Sequence, residues 1–293
     1  MLDEKTLGSR IFDFANITLM IFLIFITLYP VVYVLAISLS SAEYVQANLV
    51  TLWPKGVNLN AYSKLIEYKL FWVSYKNTIV YSTIGTLINL ILTSMLAFGL
   101  SRRELLGKKT ITLFILITMF FSGGMIPNFL LVNWLGLYNT MWAVILPSAI
   151  STYNMIIVRT YMNGIPEEII ESVRIDGAND IQIFFKIILP LSKTALATVG
   201  LFYFVTHWNS YFQPMIYIKD KSRQPLQVIL KDMVLDQNID TLGLNILDLE
   251  GSMPTSEMFT AAAIILSLIP VICVYPFVQK YFVKGVMIGS VKG

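Results

Sequence analysis

The sequence predicts an all-α integral membrane protein with six transmembrane helices and one short polar helix, read as cytoplasmic, between the fourth and fifth. Three observations carry this. The 293 residues are 56% hydrophobic and 13% charged, with a mean hydropathy of +0.69, far more apolar than a soluble domain that alternates core and surface positions. Six apolar stretches approach the roughly 20 residues needed to cross a hydrocarbon core. Between the fourth and fifth lies "EEIIESVRIDGANDIQIFFKIILP", a charged run broken by Gly177.

The first span, about 15–38, follows a cytoplasmic segment at about 1–14. Its apolar run exceeds the roughly 7–15 residues of a signal-peptide core, and Asp3 and Glu4 accompany Lys5 and Arg10 ahead of it, so it reads as an uncleaved helix. The next segment holds "LNAYSKLIEYKLFW", a helix-like stretch suited to the membrane interface. The second and third spans, about 71–100 and 110–131, are joined by the short basic loop "SRRELLGKKT". The fourth, about 141–162, follows the uncharged "NFLLVNWLGLYNT". The fifth and sixth are read at about 187–218 and 258–282, separated by an external segment at about 219–257 and followed by a basic tail at about 283–293. The basic loop and basic tail place both termini inside. Lys55, Lys64, Lys69 and Lys76 of the first external segment run against that bias, but they sit in a long interfacial stretch rather than a tight loop.

The polar interlude, about 163–190, reads as two helices. Pro166 suits the first helical position, Glu167 and Glu168 put negative charge at the positive end of the helix dipole, and Gly177 supplies a stop. Ile169, Ile170, Val173 and Ile175 form an apolar stripe, and Glu171 and Arg174 are spaced for an i,i+3 pair. A second helix starts near Ala178 or Asn179, and Pro190 is placed to kink it at the membrane. Glu167, Glu168, Glu171, Asp176 and Asp180 outnumber Arg174 and Lys186, a balance that fits a protein partner better than an anionic lipid surface.

Glu171, Gly177, Ile187 and the pair Leu189-Pro190 stand at the spacing of the EAA loop, and here the chain resembles the permeases of binding-protein-dependent ABC importers. Ser172 and Val173 depart from the usual Ala-Ala. The stretches "LWPKGVNLNAYSKL", "NTIVYSTIGTLINLILTSMLAFGLSR" and "FSGGMIPNFLLVNWLGLYNT" resemble the carbohydrate branch and its maltose-type second permease subunit. The ending "GVMIGSVKG" resembles permeases for oligosaccharides of complex polysaccharides, the alginate importer among them.

The resemblance implies a single permease domain in a bacterial inner membrane, paired with a second, homologous permease, two ATP-binding subunits and an extracytoplasmic solute-binding protein. The loop would be a coupling helix, with Glu168, Glu171, Ser172, Arg174, Asp176, Gly177 and Ala178 at the ATP-binding subunit, and with Gly285, Met287 and Gly289 as a C-terminal contact to it. No G-x-x-x-x-G-K-[ST] phosphate loop occurs, so Mg-ATP is expected in the partner subunits and no cofactor in this chain. One His and one Cys offer no metal set, no catalytic residue is read, and no nucleic-acid partner is implied. The implied cargo is an oligosaccharide, with acidic alginate or galacturonan types preferred. The rival class is an ion-coupled carrier or channel; such carriers keep ionisable groups in mid-membrane, and these spans hold few.

Polar residues within spans are candidates for a translocation path: Asn89 with Thr93, then Tyr153 and Asn154, then His207, Trp208, Asn209, Tyr211 and Gln213. For any one of them, an interhelical hydrogen bond or an interfacial belt is the competing reading, and for His207 it is the preferred one. Lys219, Lys221 and Arg223 suit an anionic ligand or a negative patch on a partner, or are ordinary charges flanking a span.

Overall fold

The computed structural model describes the backbone of residues 7–236 and 254–290, and side-chain surroundings for 8–235 and 254–276. Among the described residues every regular element is a helix. The chain divides into two units, one formed by residues within 1–69 and 232–269, the other by 70–231 with 270–293.

The first unit begins with α1 (Leu7–Ser38), apolar on all sides, so no single face is marked for a protein core. Its most hydrophobic window is 11% buried, and only its end packs, through Ala36, Ile37 and Ser38. After α2 (Ala42–Gln46) and α3 (Asn60–Glu67), hydrogen bonds stitch that end down: Ser38 Oγ lies 2.8 Å from Tyr62 Oη, and Ser40 Oγ accepts from Lys55 N at 3.0 Å.

Most of α4 (Lys69–Ser101) belongs to the second unit. Its buried face carries Ser74, Thr78, Ser82, Gly85, Asn89 and Thr93, spaced three or four apart, a stripe of small and polar residues that lets neighbouring backbone approach closely. α1 and α4 are each long and apolar enough to span a membrane unbroken, as is Ser256–Pro276 at the start of α15 (Ser256–Ser290). The sixth helix therefore continues beyond the expected span, through most of what sequence assigned to a tail.

The third, fourth and fifth expected spans are not continuous helices. α5 (Lys108–Phe120) and α6 (Met125–Trp134) meet at 112°, at a break where Gly124 has φ +85°. Without a Cβ, glycine takes that conformation at no steric cost. α7 (Trp142–Ile145), prolonged by a 3₁₀ turn, meets α8 (Thr152–Asn163) at 53°. There Ser151 is extended and caps α8, its side chain accepting from Asn154 N. The fifth stretch bends by 80° between Asp180–Leu191 and α12 (Lys193–Trp208), and breaks again before α13 (Phe212–Tyr217). The bend falls at Ser192, two residues beyond Pro190.

Broken helices at membrane depth need partners for their freed backbone groups. Asn89 Nδ2 donates to Ser148 O at 3.2 Å, and Tyr203 Oη accepts from Ser151 N at 2.9 Å while bonding Thr93 Oγ1 at 2.7 Å. The expected external segment is partly helical: a 3₁₀ turn at Lys221–Arg223 leads into α14 (Leu226–Asp236), whose Leu226 N donates to Thr78 Oγ1 at 2.7 Å. Residues 237–253 of that segment lie outside the described residues.

Candidate functional site

The polar interlude folds into α9 (Glu167–Ile175), a tight turn, α10 (Asp180–Ile183), a π-helical turn at Phe184–Ile188 and α11 (Leu189–Leu191). Pro166 is the N-cap, extended at ψ 135°, so α9 starts one residue later than its sequence suggested. Its end follows from Gly177: with φ +85° there, Gly177 N donates to Arg174 O at 3.0 Å and Ala178 N to Val173 O at 3.2 Å. These two bonds close a Schellman turn and satisfy carbonyls that the helix would otherwise leave open. The chain re-enters a helix at once because Asn179 and Gln182 form a capping box, Asn179 Oδ1 accepting from Gln182 N at 2.9 Å and Gln182 Oε1 from Asn179 N at 3.1 Å.

The expected apolar stripe is split between two faces. Ile170 is buried and Val173 packs with it on a core of Ala97, Met155, Val158, Met162 and Val199, drawn from α4, α8 and α12. Ile175 is 85% exposed. At about 100° per residue, Ile175 lies nearly opposite Val173, so one face cannot hold both. Ile181 and Phe185, in the first and second turns of the next helical run, are also exposed at 69% and 59%. Leu106 in the loop after α4 is 91% exposed. These side chains leave apolar surface on an otherwise polar segment.

Arg174 does not pair with Glu171. Its Nη1 lies 2.8 Å from Glu104 Oε1 and its Nη2 3.2 Å from Asp180 Oδ1, so one planar guanidinium ties α9 to both the loop after α4 and the start of α10. The hydrogen bond and charge of Arg174 hold the Glu104 carboxyl below its ordinary range, and the two carboxylates raise Arg174 in turn. Arg103 Nε meets Glu167 Oε2 at 2.8 Å. Lys108 Nζ donates to Ser101 O and Arg102 O at 3.2 and 3.1 Å, capping the end of α4. A cleft of about 700 Å³ opens between these segments, with Met162, Ile170 and Ile188 in its floor and Arg103, Glu168 and Glu171 in its walls.

Of the seven residues read as coupling, Glu168, Glu171, Ser172, Arg174, Asp176 and Gly177 are exposed and Ala178 is half-buried against the core. Sequence reasoning missed Arg103, Glu104 and Lys108. Their signal was present as a basic loop facing an acidic one, each on the side to which the topology assigns both. Gly285, Met287 and Gly289 fall in the last turns of α15, where side-chain surroundings lie outside the described residues.

The residues read as a path are not one lining. Asn89, Asn154, His207 and Trp208 are buried, Gln213 is half-buried, and Tyr153, Asn209 and Tyr211 are exposed. His207 sits against Gly85, where a Cβ would lie 2.6 Å from its Nε2, and Asn89 follows one turn along α4. Trp208 stacks on Phe204 at 5.7 Å and meets the edge of Tyr75 at 6.1 Å.

Residues 6–288 match the family described as the inner membrane component of binding-protein-dependent transport systems. The chain is 39% identical over 290 residues to the polygalacturonan/rhamnogalacturonan transport system permease protein YtcP of Bacillus subtilis, covering 97% of this chain and 99% of that one. It is 36% identical over 290 residues to the protein LplC of the same organism, covering 99% and 98%. It superposes with a TM-score of 0.88 at 36% identity on a chain of a bacterial ABC transporter that imports the acidic polysaccharide alginate, covering 94% of this chain and 98% of that one.

Proposed function

This chain belongs to the family of binding-protein-dependent transport system inner membrane components, and from that membership we propose that it is a permease subunit of an ABC importer for oligosaccharides, acidic ones preferred. The named cargoes of its relatives, polygalacturonan/rhamnogalacturonan and alginate, support the substrate class. A second permease, two ATP-binding subunits that hold Mg-ATP, and an extracytoplasmic binding protein complete the transporter. Both termini and the polar interlude face the cytoplasm of a bacterial cell whose inner membrane the chain spans as one permease domain.

The observation that carries the coupling role is the two-sidedness of α9. One face, Ile170 and Val173, is keyed into the core that α4, α8 and α12 share. The other presents Ile175 beside Glu171 and Ser172, and beyond the Gly177 turn come Ile181 and Phe185. A close-packed core transmits displacement because it has no slack. When the ATP-binding pair closes, a subunit seated on the outer face moves α9, and the keyed face carries that motion to the spans. Ala-Ala at Ser172 and Val173 would leave the core contact at Val173 shorter by two methyl groups, so the bulkier residue strengthens the inner half of this link.

Asn89, Asn154, His207 and Trp208 are the buried part of the proposed path, and Tyr153, Asn209, Tyr211 and Gln213 its exposed or half-exposed part. Hydroxyl-rich cargo is bound by amides and aromatic faces together, and both types stand here. Gly285, Met287 and Gly289 are proposed to reach the ATP-binding pair.

The test is reconstitution of the chain with its second permease, ATP-binding subunit and binding protein in liposomes. Uptake of an oligogalacturonate or oligoalginate that requires ATP and the binding protein is expected. Gly177→Pro and Glu171→Lys should abolish uptake at equal insertion while the complex still hydrolyses ATP. Uptake by the chain alone, driven by an ion gradient, would overturn the importer reading.

A further inference from the structure

The turn between α13 and α14 carries Lys219, Lys221 and Arg223 within five residues. On the proposed topology it lies outside, where short loops flanking spans are depleted in Lys and Arg. Among the described residues, Arg223 alone of the three meets a carboxylate: its Nε is 3.4 Å from Asp220 Oδ2. Among the described residues neither Lys219 nor Lys221 makes an ion pair, and both are exposed. Two exposed cations in one turn, without a counter-charge among the described residues, need a reason.

The turn is also held unusually firmly for an exposed loop. Asn139, a non-glycine residue at φ +61°, accepts from Lys219 N at 3.1 Å and Asp220 N at 3.0 Å through its single Oδ1. Its own N donates to Tyr217 O at 2.8 Å, and its O accepts from Arg223 Nη1 at 2.9 Å. From the other side α4 clamps the same turn: Asn77 Nδ2 donates to Ser222 O at 2.8 Å and Tyr81 Oη to Arg223 O at 2.8 Å. Asp220 accepts from Ser222 N and Oγ at 2.9 and 2.7 Å, which keeps its carboxyl below the ordinary range and ionised beside Arg223. Asparagine is among the few residues that tolerate the left-handed region while offering a side-chain acceptor, and both properties are used at this position.

We propose that Asn139 is a positioning residue that fixes the Lys219–Arg223 turn as a pre-formed cationic contact for an acidic face of the extracytoplasmic binding protein. Fixing charges before docking removes the ordering cost that mobile lysine-bearing loops would add at the moment of contact, and charges at an interface rim act mainly on association rate and its salt dependence. This inference rests on the importer reading, since it needs a binding protein to dock.

The experiment measures binding-protein association with the reconstituted full transporter at several salt concentrations. Wild type should show association that slows steeply with salt. Lys219→Glu with Lys221→Glu should slow association about tenfold at low salt and flatten the salt dependence. Asn139→Asp, which keeps the acceptor and tolerates φ, should stay within a few fold of wild type; Asn139→Gly, which keeps only the backbone freedom, should fall between wild type and the double charge reversal. The lysine pair is exposed, so that variant stays interpretable even if an Asn139 variant folds poorly. Unchanged association and an unchanged salt slope in the double charge reversal would overturn the contact, and Asn139→Gly equal to wild type would overturn the positioning role. Failure of wild type to bind any binding protein would instead strike the importer reading itself.

Discussion

Two glycines are required here for different reasons, and substitution separates them. At Gly177 a Cβ would meet nothing within 4 Å, so the demand is wholly conformational, set by φ +85°. Gly177→Ala is expected to cost about 1–2 kcal/mol in holding the Schellman turn, and Gly177→Asn less, because asparagine visits the left-handed region more readily. Hydrogen exchange at Gly177 and Ala178 N–H checks the order Gly, Asn, Ala. At Gly85 the demand is steric, since a methyl would fall 2.6 Å from the buried His207 ring. Gly85→Ala is expected to destabilise the permease by about 1–3 kcal/mol, with part of that loss recovered when His207→Ala is added; thermal denaturation in detergent across the double-mutant cycle checks it. The Glu104 link gives a pH signature. Its carboxyl is held below the ordinary 4.5 by Arg174, so its contribution is fully present above that value and is lost as pH falls through the lower, folded value. Exchange protection across residues 167–180 should therefore drop on acidification from 4.5 downward in wild type, and Glu104→Gln should reduce that pH dependence, leaving the part carried by the Arg174–Asp180 and Arg103–Glu167 pairs.

Among elements, helices that stop for a local chemical reason were legible, and helices that stop because something else completes them were not. The end of α9 followed from Gly177 and its start from the Pro-Glu-Glu run, each within one residue. α10 shows the same logic: Asn179→Ala removes half of the capping box and is expected to cost about 1 kcal/mol, read as lost exchange protection in residues 180–184. The bend at 192 was legible from Pro190, two residues before it; the breaks at 121–124 and 149–151 were hidden because hydropathy sums apolar content and is blind to direction. Ser148 and Ser151 signal a break only once Asn89 and Tyr203, distant in sequence, are known to satisfy the backbone there. The stripe on α9 failed for a related reason. Apolar residues on an exposed face look like core to a periodicity argument, and Ile175, 85% exposed, lies on such a face. The path residues were chosen by polarity within spans, a criterion that finds buried groups such as Asn89 and His207 but cannot separate them from exposed ones such as Tyr153.

For the molecule as a whole, the proposed functions stand or fall together on topology, because α9 must face the ATP-binding subunits and the Lys219–Arg223 turn must face the binding protein. The two surfaces lie in segments joined by α12, a helix of 16 residues, about 24 Å long at 1.5 Å per residue, which reaches across most of a hydrocarbon core. A single crossing between them puts them on opposite sides, whichever way the chain is inserted. Basic-loop counting then selects the direction, although the lysines of residues 55–76 and the cationic turn itself oppose it. Cysteine labelling resolves the direction. With Cys273, the sole and exposed cysteine, replaced by Ser, Ser222→Cys and Ser172→Cys report the two sides, since both positions are exposed. In intact cells stripped of any outer barrier, a membrane-impermeant maleimide should label Ser222→Cys at once and reach Ser172→Cys only after permeabilisation. The reverse pattern would invert the molecule and remove the coupling and docking assignments together. Labelling of both positions in intact cells would mean that α12 does not cross the membrane, and its 80° bend would then mark a re-entrant segment instead of an entry to the fifth span.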